Sequence, residues 1–222
     1  MTSPKQEIAK TISAMSGRYA PYNIFSDWIE MCALSIQNSC ALVHDKIWHE
    51  REKLYLAVAQ RYTDQELSQF AKMFVLLGDA LTEELTDVLG QIYMESGMGS
   101  KYTGQFFTPF HLSELCARCC IDMNRIKQNE PITAAEPSCG GGGMIIALCK
   151  VLHEMGYDYQ RKMKVVAQDL DWKGVYMTYL QLSLIGCNAL VVQGDTLAEP
   201  YDPSRTERGR IMRTPMNLGV LM

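Results

Sequence analysis

A run of four glycines, residues 140–143, limits what this chain can fold into more than any other feature of the sequence. Residues 132–135 before it are small and apolar, as in a short buried strand, and residues 144–149 after it read as the start of a helix. Glycine permits positive φ angles and close approach to a ligand, and a helix N-terminus offers free N–H groups. Residues 131–148 therefore predict the first strand, turn and helix of a βαβ unit.

Glu136, which stands directly before this turn, indicates what kind of ligand the turn would bind. The turn is not a P-loop, because no Gly-Lys-Ser/Thr follows the glycines. A carboxylate here can accept hydrogen bonds from an amine or a hydroxyl and would repel a pyrophosphate. This favours S-adenosylmethionine (SAM) over NAD or ATP. A tight turn without any ligand is the alternative.

Further strands and helices alternate after the glycine turn. Residues 163–169 predict a second strand that ends in Asp169, residues 172–185 a helix, and residues 189–193 a third strand that is followed by Gly194 and Asp195. A fourth strand is expected at residues 210–213. This alternation predicts a parallel α/β sheet of at least four strands, with ligands at the carboxyl ends of the strands. Glu136, Asp169 and Asp195 would each lie at such an end.

The first hundred residues have a helical pattern. Residues 24–94 predict three or four helices with breaks near Tyr62, Gly78 and Gly97, after a loose lead-in over residues 1–22. Thr63 and Glu66 form a predicted capping box, and Thr82 resembles the start of the next helix. The expected domains are a helical region over residues 1–100 and an α/β domain over residues 101–222.

The connection between these two regions contains two adjacent aromatic residues. After an expected hinge at residues 96–100, Phe106 and Phe107 precede Thr108, which is predicted to cap a helix with Pro109 at its first position. Two phenylalanines in a row are unusual in a solvated loop. They could stack on a flat ligand such as adenine, or act as a hydrophobic staple on the helix.

Composition and charge place the chain among ordinary globular proteins and limit its partners. It has 222 residues, a formal net charge of −4 and a pI of about 5.6. A protein that holds DNA unaided usually has a basic surface, so DNA binding would need help from a partner subunit. There is no apolar run long enough for a membrane span and no signal-peptide core at the N-terminus, which indicates a cytoplasmic protein without a membrane partner.

The eight cysteines do not indicate a metal site. In a cytoplasmic chain of this size they are expected to be reduced thiols. Cys116, Cys119 and Cys120 have the spacing of one buried helix face, and neither a second Cys-x-x-Cys nor a His-x-x-x-His accompanies them. No metal ligands are therefore predicted.

Several of these motifs together resemble the N6-adenine DNA methyltransferases of the type I restriction–modification class. Residues 104–109 resemble motif X of that family, residues 136–143 motif I, Gln168-Asp169 motif II and residues 194–197 motif III, in the order in which the family has them. Residues 87–90 and 93–94 resemble the helical segment that leads into motif X. The resemblance covers roughly residues 85–200 and implies a Rossmann-like SAM-dependent methyltransferase domain, with a sheet that could be truncated.

The resemblance also implies a pocket for SAM. Phe107 and Thr108 would line its methionine or adenine side, Glu136 and the glycine backbone would hold the amino-acid part, Asp169 the ribose and Asp195 the adenine amino group. The cofactor-binding residues implied in this way are Phe106, Phe107, Thr108, Pro109, Glu136, Pro137, Ser138, Cys139, Gly140, Gly143, Asp169, Leu170, Asp195, Thr196 and Leu197.

The catalytic motif of the family, Asn/Asp-Pro-Pro-Tyr/Phe, is missing at its expected place. Pro215, Met216 and Asn217 stand there, with one proline, no following aromatic residue, and the asparagine after the proline instead of before it. The catalytic residues are therefore unknown from the sequence. The chain is in this respect similar to short N-6 DNA methylase-like proteins of plasmids, phages and integrative elements.

Two functions of different classes stay open. One is an active adenine-N6 DNA methyltransferase that takes its target recognition, and even catalytic residues, from another chain. The other is a SAM-binding accessory or regulatory protein without transfer activity, such as a modulator of restriction–modification. A small-molecule methyltransferase is a weaker third alternative, because the Gln-Phe-Phe-Thr-Pro segment resembles the DNA enzymes.

The end of the sequence leads to an expectation about assembly. A chain that ends at Met222 would leave the fourth strand without a successor, and the open edge of a parallel sheet is rarely left bare. Residues 216–222 are too apolar for a solvated terminus. A homodimer or a complex with a partner subunit is expected, with this tail in the contact.

Overall fold

The computed structural model describes residues 2–98, 106–128 and 130–218. Over these residues the protein is an α/β protein in which five helices precede a four-stranded sheet with its own helices. The predicted fold class is confirmed. Residues 99–105, which include part of the expected hinge and the first part of motif X, lie outside the described residues. So do residues 219–222 of the apolar tail.

The five N-terminal helices are α1 (Pro4–Met15), α2 (Pro21–Ser39), α3 (Lys46–Ala59), α4 (Asp64–Glu83) and α5 (Val88–Glu95). The capping box at the start of α4 is confirmed: the Glu66 N–H donates to the Thr63 hydroxyl, and the Thr63 N–H donates to the Glu66 carboxylate. Such a box satisfies two of the N–H groups that a helix start leaves unpaired. The predicted break near Tyr62 is confirmed by the end of α3 at Ala59.

The expectation of a loose lead-in over residues 1–22 is wrong. α1 begins after a capping box of Ser3 and Gln6, has Pro4 in its first turn, and buries Ile8 and Ile12 in the core. The polar residues of this segment form the exposed side of an amphipathic helix, which is why they suggested a loop.

Two further predictions in the helical region are wrong. Gly78 does not break α4, because the burial of Leu77 and Leu81 on either side outweighs the cost of one helical glycine, about 1 kcal/mol. Thr82 starts no helix; its hydroxyl donates to the Gly78 carbonyl one turn earlier. The next helix, α5, is instead capped by Asp87, whose carboxylate accepts from the Gly90 N–H.

The second half of the chain follows the predicted alternation. Its elements are α6 (Phe110–Cys120), α7 (Met123–Gln128), β1 (Ile132–Glu136), α8 (Gly143–Glu154), α9 (Tyr159–Lys162), β2 (Met163–Asp169), α10 (Trp172–Leu184), β3 (Ala189–Gln193), a short 3-10 turn at Arg208–Arg210 and β4 (Ile211–Arg213). The strands lie in the order β1-β2-β3-β4, and β1, β2 and β3 are parallel, with Ala134 beside Val165 and Val165 beside Ala189.

The fourth strand is not parallel, and this part of the prediction is wrong. β4 pairs antiparallel to β3, with Ile211 beside Val192 and Arg213 beside Leu190. A parallel return needs a crossover, which is usually a helix. The connection between β3 and β4 contains only the 3-10 turn. The chain therefore turns back along the edge of β3.

Helix α6 also departs from its prediction. Its N-cap is Pro109, not Thr108, and no side chain caps it. Cys116, Cys119 and Cys120 are exposed, so the predicted buried cysteine face is wrong. In the apolar contact between α6 and α8 it is instead Ala117 that packs on Ala147 and Val151.

Helix α10 connects the two halves of the molecule. It packs on β2 and β3 on one side and on α2 and α5 on the other, and nearly all of its residues are buried. One hydrophobic core accordingly includes Trp28 and Tyr93 of the N-terminal helices together with Val165 and Val191 of the sheet. None of the described helices is long and apolar enough to cross a membrane.

Candidate functional site

The glycine turn joins β1 to α8 in a conformation that requires glycine at two positions. Gly140 has a φ of +51° and Gly142 a φ of +90°, in the left-handed region where other side chains are strained. A Cβ atom at Gly140 would also lie 2.8 Å from the ring of Phe107. The turn therefore brings its backbone directly against an aromatic side chain of the preceding segment.

Asp169, at the end of β2, is bonded to the glycine turn. Its Oδ2 accepts from the Gly140 N–H at 2.7 Å, and its Oδ1 accepts from the Asp171 N–H at 2.9 Å. A Cβ atom at Gly174 would lie 2.8 Å from the carboxyl carbon, so α10 also starts close to this acid. The structure thus joins the residues of motifs I and II. Each carboxylate oxygen has a second lone pair with which it can accept a ligand hydroxyl.

The loops after β1 and β3 are also bonded to each other. The Thr196 hydroxyl donates to the Pro137 carbonyl at 2.6 Å. Asp195 is exposed and uses its Oδ1 within its own turn, where it accepts from the N–H groups of Leu197 at 2.9 Å and Ala198 at 3.3 Å. The other oxygen of Asp195 accepts none of these bonds.

Glu136 likewise accepts a hydrogen bond from a residue close to it in the chain, and its other carboxylate oxygen takes no part in that bond. Its Oε1 accepts from the N–H of Ser138 at 3.1 Å, and its side chain is at the surface, where β1 ends. The three predicted acids therefore lie at the same end of the sheet, where β1, β2 and β3 have their carboxyl ends, since these strands are parallel.

Several apolar side chains in the loops that carry these acids, and beside Phe107 in the chain, are exposed to solvent. Phe106 is 71% exposed, Leu170 67% and Leu197 97%, whereas Phe107 is half-buried and packs on Tyr93 with 5.2 Å between ring centroids. Thr108 and Pro109 are exposed. Such a set of side chains, apolar and open to solvent, suits contact with a flat apolar group such as adenine.

Cys139 differs from the other residues of the turn because it is buried. Burial raises the pKa of its thiol to about 12. The Cys139 N–H donates to the Gln168 carbonyl at 2.9 Å, which ties the turn to β2. A neutral buried thiol is a packing group and not a nucleophile.

Two residues of α10 that sequence reasoning missed donate hydrogen bonds to carbonyl groups of the glycine turn. The Thr178 hydroxyl donates to the Gly140 carbonyl at 2.9 Å, and the Gln181 amide donates to the Gly141 carbonyl at 2.7 Å. Both side chains are fully buried. The signal that could have found them is a pair of polar residues, three positions apart, in a helix that is otherwise apolar.

Asp87 completes this support. Its Oδ1 accepts from the Gln181 amide at 2.8 Å and from the Gly90 N–H at 2.8 Å, and a Cβ atom at Gly141 or Gly143 would lie only 3.0 to 3.1 Å from its Oδ2. Burial raises the pKa of Asp87, and the bonds from Gln181 and Gly90 partly offset this. The segment that leads into motif X is thus in contact with motif I.

Lys173, at the start of α10, links the N-terminal helices to this site. Its buried ammonium donates to the hydroxyls of Tyr22 at 3.1 Å and Tyr93 at 3.3 Å and lies 3.4 Å from Asp171. Burial lowers the pKa of Lys173, but the bonds to the two tyrosine hydroxyls together with the charge of Asp171 outweigh it, and the net shift of the pKa is upward. The lysine therefore stays charged, and through Tyr93 the helical region reaches Phe107.

Pro215, Met216 and Asn217 lie away from this site. Because β4 is antiparallel, its carboxyl end lies beside the amino end of β3, at the end of the sheet opposite to the acids. The Asn217 amide donates to the Asn188 side chain at 2.7 Å, and Pro215 and Met216 are buried. The residues in the sequence position of the catalytic motif therefore do not meet the strand ends where the acids lie.

The groups at the strand ends fit SAM in their chemistry. Glu136 and Asp169 can accept from an ammonium group and ribose hydroxyls, the start of α8 offers N–H groups to a carboxylate, and the aromatic and leucine side chains can contact adenine. Over the described ranges no group of three or more potential ligands could hold a metal ion.

A comparison with protein families agrees with this arrangement. The model of the N-6 DNA methylase family matches residues 84–216, which is more than half of the chain. The match begins just before Asp87 and contains the glycine turn, β2, α10 and β3. These are the elements that form the site. The chain belongs to the N-6 DNA methylase family.

Proposed function

We propose that this protein binds SAM across the carboxyl ends of β1, β2 and β3 and is a DNA adenine-N6 methyltransferase-like protein. The observation that carries the proposal is the bond from the Gly140 N–H to Asp169, which joins a glycine turn to a strand-end acid in a chain of the N-6 DNA methylase family. An acid beside a glycine turn is suited to a nucleoside with an attached amino acid, and less to a pyrophosphate.

Each part of SAM has a counterpart among the described residues. Glu136 would accept from the ammonium group, the start of α8 would hold the carboxylate, and Asp169 would accept from the ribose hydroxyls. Phe107 and the exposed leucines would contact adenine, and Asp195 its amino group. When bound, SAM supplies an electrophilic methyl group, and the role of these residues is to hold and orient it.

Transfer of the methyl group to an adenine base of DNA requires protein groups that accept a hydrogen bond from the amine of that base and that stack on its ring. Pro215, Met216 and Asn217 cannot take this role, because they follow β4 near the amino end of β3, at the end of the sheet opposite to the proposed SAM site. We therefore propose that the residues that bind the target adenine of DNA, and many of the contacts to the DNA backbone, come from a partner subunit. The acidic net charge of −4 agrees with shared DNA binding.

The second candidate is a SAM-binding accessory protein without transfer activity. It is favoured by the position of residues 214–217 away from the acids. Thr214 and Asn217 bond to the residues just before β3, so this stretch has a structural role in place of a catalytic one. Under this proposal SAM acts as a structural or regulatory ligand, and the protein works through a complex with other restriction–modification proteins.

Isothermal titration separates these proposals step by step. We expect SAM and S-adenosylhomocysteine to bind, and ATP and NAD to bind much more weakly. Absence of SAM binding by the folded protein would remove both candidates. The next step is incubation with tritiated SAM and adenine-containing DNA, alone and with the products of neighbouring genes. Label in N6-methyladenine supports the methyltransferase, and SAM binding without label under all conditions supports the accessory protein.

A further inference from the structure

Two successive carbonyl groups of the glycine turn point toward α10. The Gly140 carbonyl accepts from the Thr178 hydroxyl at 2.9 Å, and the Gly141 carbonyl accepts from the Gln181 amide at 2.7 Å. Thr178 and Gln181 are one helical turn apart and fully buried. The same face of α10 therefore fixes the orientation of two neighbouring peptide planes.

Gln181 is itself held from three directions. Its carbonyl oxygen accepts from the Leu89 N–H at 3.1 Å, and its amide also donates to Asp87 at 2.8 Å. Asp87 in turn fills the space beside Gly141 and Gly143, so that a Cβ atom on either glycine would press against its carboxylate. The start of α5 thereby prevents Gln181 from rotating away from the turn.

This arrangement has a consequence for the N–H groups of the turn. In a trans peptide the C=O and N–H bonds point in opposite directions. Because the Gly140 carbonyl points to α10, the Gly141 N–H points away from it, and within the described ranges it donates to no acceptor. The next N–H, that of Gly142, is used by the Cys139 carbonyl at 2.7 Å. The N–H of Gly141, like those of the first residues of α8, is therefore left without an acceptor among the described residues.

We propose that Thr178 and Gln181 are positioning residues that direct the Gly141 N–H toward the carboxylate of the amino-acid part of SAM. This inference rests on the proposed SAM binding and adds two residues of α10 that touch no ligand themselves. Without the Thr178 bond the Gly140–Gly141 peptide can rotate, and without the Gln181 bond the following Gly141–Gly142 peptide can rotate, so that the Gly141 N–H between them loses its fixed direction. Affinity for ligands with that carboxylate should fall, while ligands without it should be unaffected.

The test compares two ligands that differ in the amino-acid part. S-adenosylhomocysteine has the carboxylate, and 5′-methylthioadenosine lacks it. For Thr178→Val, which keeps the shape of the side chain and removes its hydroxyl, we expect about a three- to tenfold loss of affinity for S-adenosylhomocysteine, the range of one neutral hydrogen bond. The affinity for 5′-methylthioadenosine should stay within about twofold. Gln181→Met should show the same selectivity with a larger loss.

Controls separate positioning from general loosening of the fold. Thr178→Ser keeps the hydroxyl and should restore binding of S-adenosylhomocysteine. Ser183→Ala, elsewhere on α10, should change neither affinity, because within the described part of the chain the Ser183 hydroxyl forms no bond to the glycine turn. An equal loss for both ligands, or no loss for either, in folded Thr178→Val overturns the positioning role. If the unmodified protein binds neither ligand, the proposed function fails instead.

Discussion

Asp169 combines two tasks at one carboxylate. It accepts from the N–H groups of Gly140 and Asp171, which fixes the glycine turn and the start of α10. Its remaining lone pairs, which accept no bond within the described part of the chain, would accept from the two ribose hydroxyls of the proposed ligand. A substitution here acts on the ligand both directly and through the turn.

Asp169→Ala should therefore weaken SAM binding by at least about tenfold. Each charge-assisted hydrogen bond contributes about 1.5–3 kcal/mol, and about 1.4 kcal/mol corresponds to a factor of ten. Isothermal titration measures the loss, and circular dichroism checks that the variant is folded. Glu50→Ala is the matched control, because Glu50 is an exposed acid on α3 whose ion pair is with Lys46 at the surface. Unchanged affinity in a folded Asp169→Ala protein would refute the ribose role.

Asp87 is a buried acid whose ionisation opposes folding. Burial raises its pKa above the ordinary value, and the bonds from Gln181 and Gly90 only partly offset this. The folded state thus holds the proton more tightly than the unfolded state. The stability gained by protonation is present below the unfolded pKa of about 3.9 and is lost as the pH rises through the folded pKa.

Asp87→Asn removes this titration while it keeps an oxygen that can accept from Gln181 and Gly90. We expect the free energy of unfolding of the unmodified protein, relative to that of Asp87→Asn, to decrease as the pH rises from about 4 toward neutrality. Urea unfolding at several pH values measures both proteins. A difference that is constant with pH, or that grows in favour of the unmodified protein, would contradict a raised pKa at Asp87.

At the scale of elements, β4 is held by side-chain bonds as well as by its short ladder. The Thr214 hydroxyl donates to the Cys187 carbonyl at 2.7 Å and accepts from the Ala189 N–H at 3.0 Å, and this residue is fully buried. The stretch that stands in place of the catalytic motif thus secures the antiparallel return to the start of β3.

Thr214→Val should destabilise the protein by about 1–3 kcal/mol, since the Ala189 N–H would be left buried without this acceptor. The midpoint of urea unfolding gives the change. Thr133→Val is the control, because it makes the same substitution at an exposed position of β1 and should stay within about 0.5 kcal/mol. Equal stability of the two variants would argue against a structural role for Thr214.

At the scale of the whole molecule, the sheet is incompletely covered by the described residues. β1 lies at one end of the strand order, and Thr133, Ala135, Lys164 and Arg213 are exposed on the sheet face opposite to α10. Parallel sheets are normally covered on both faces, and free edges are normally protected. A further chain is the cover that we predict, either a second copy or a partner subunit. The division into domains at residue 100 also stays a prediction, since one core extends across it.

Light scattering of the purified protein tests the assembly. We expect the mass of a dimer, or a monomer that forms a complex with the product of a neighbouring gene. The expected role of the tail is tested by removing residues 219–222 only, since Met216 is buried and Asn217 is bonded to Asn188. A protein that is monomeric with and without these residues, and that captures no neighbouring gene product, would contradict the prediction.

The sequence by itself determined the elements whose signals are local. The bounds of β2 and β3 were predicted to the residue, because each is a short apolar run that ends in a polar residue or a glycine. The glycine turn and the capping box at Thr63 were predictable for the same reason, since their backbone needs are expressed within a few residues. Three acids at parallel strand ends follow from the alternation of strands and helices alone.

Only the tertiary structure decided how distant segments meet. The direction of β4 depends on the path of a connection without a crossover helix, and that path has no signature in the four residues of the predicted strand. The roles of Thr178, Gln181 and Asp87 arise from packing between α5, α8 and α10, which are far apart in the chain. A polar residue in a buried helix shows in sequence that it needs a partner, but the fold alone selects the carbonyl groups of the glycine turn as that partner.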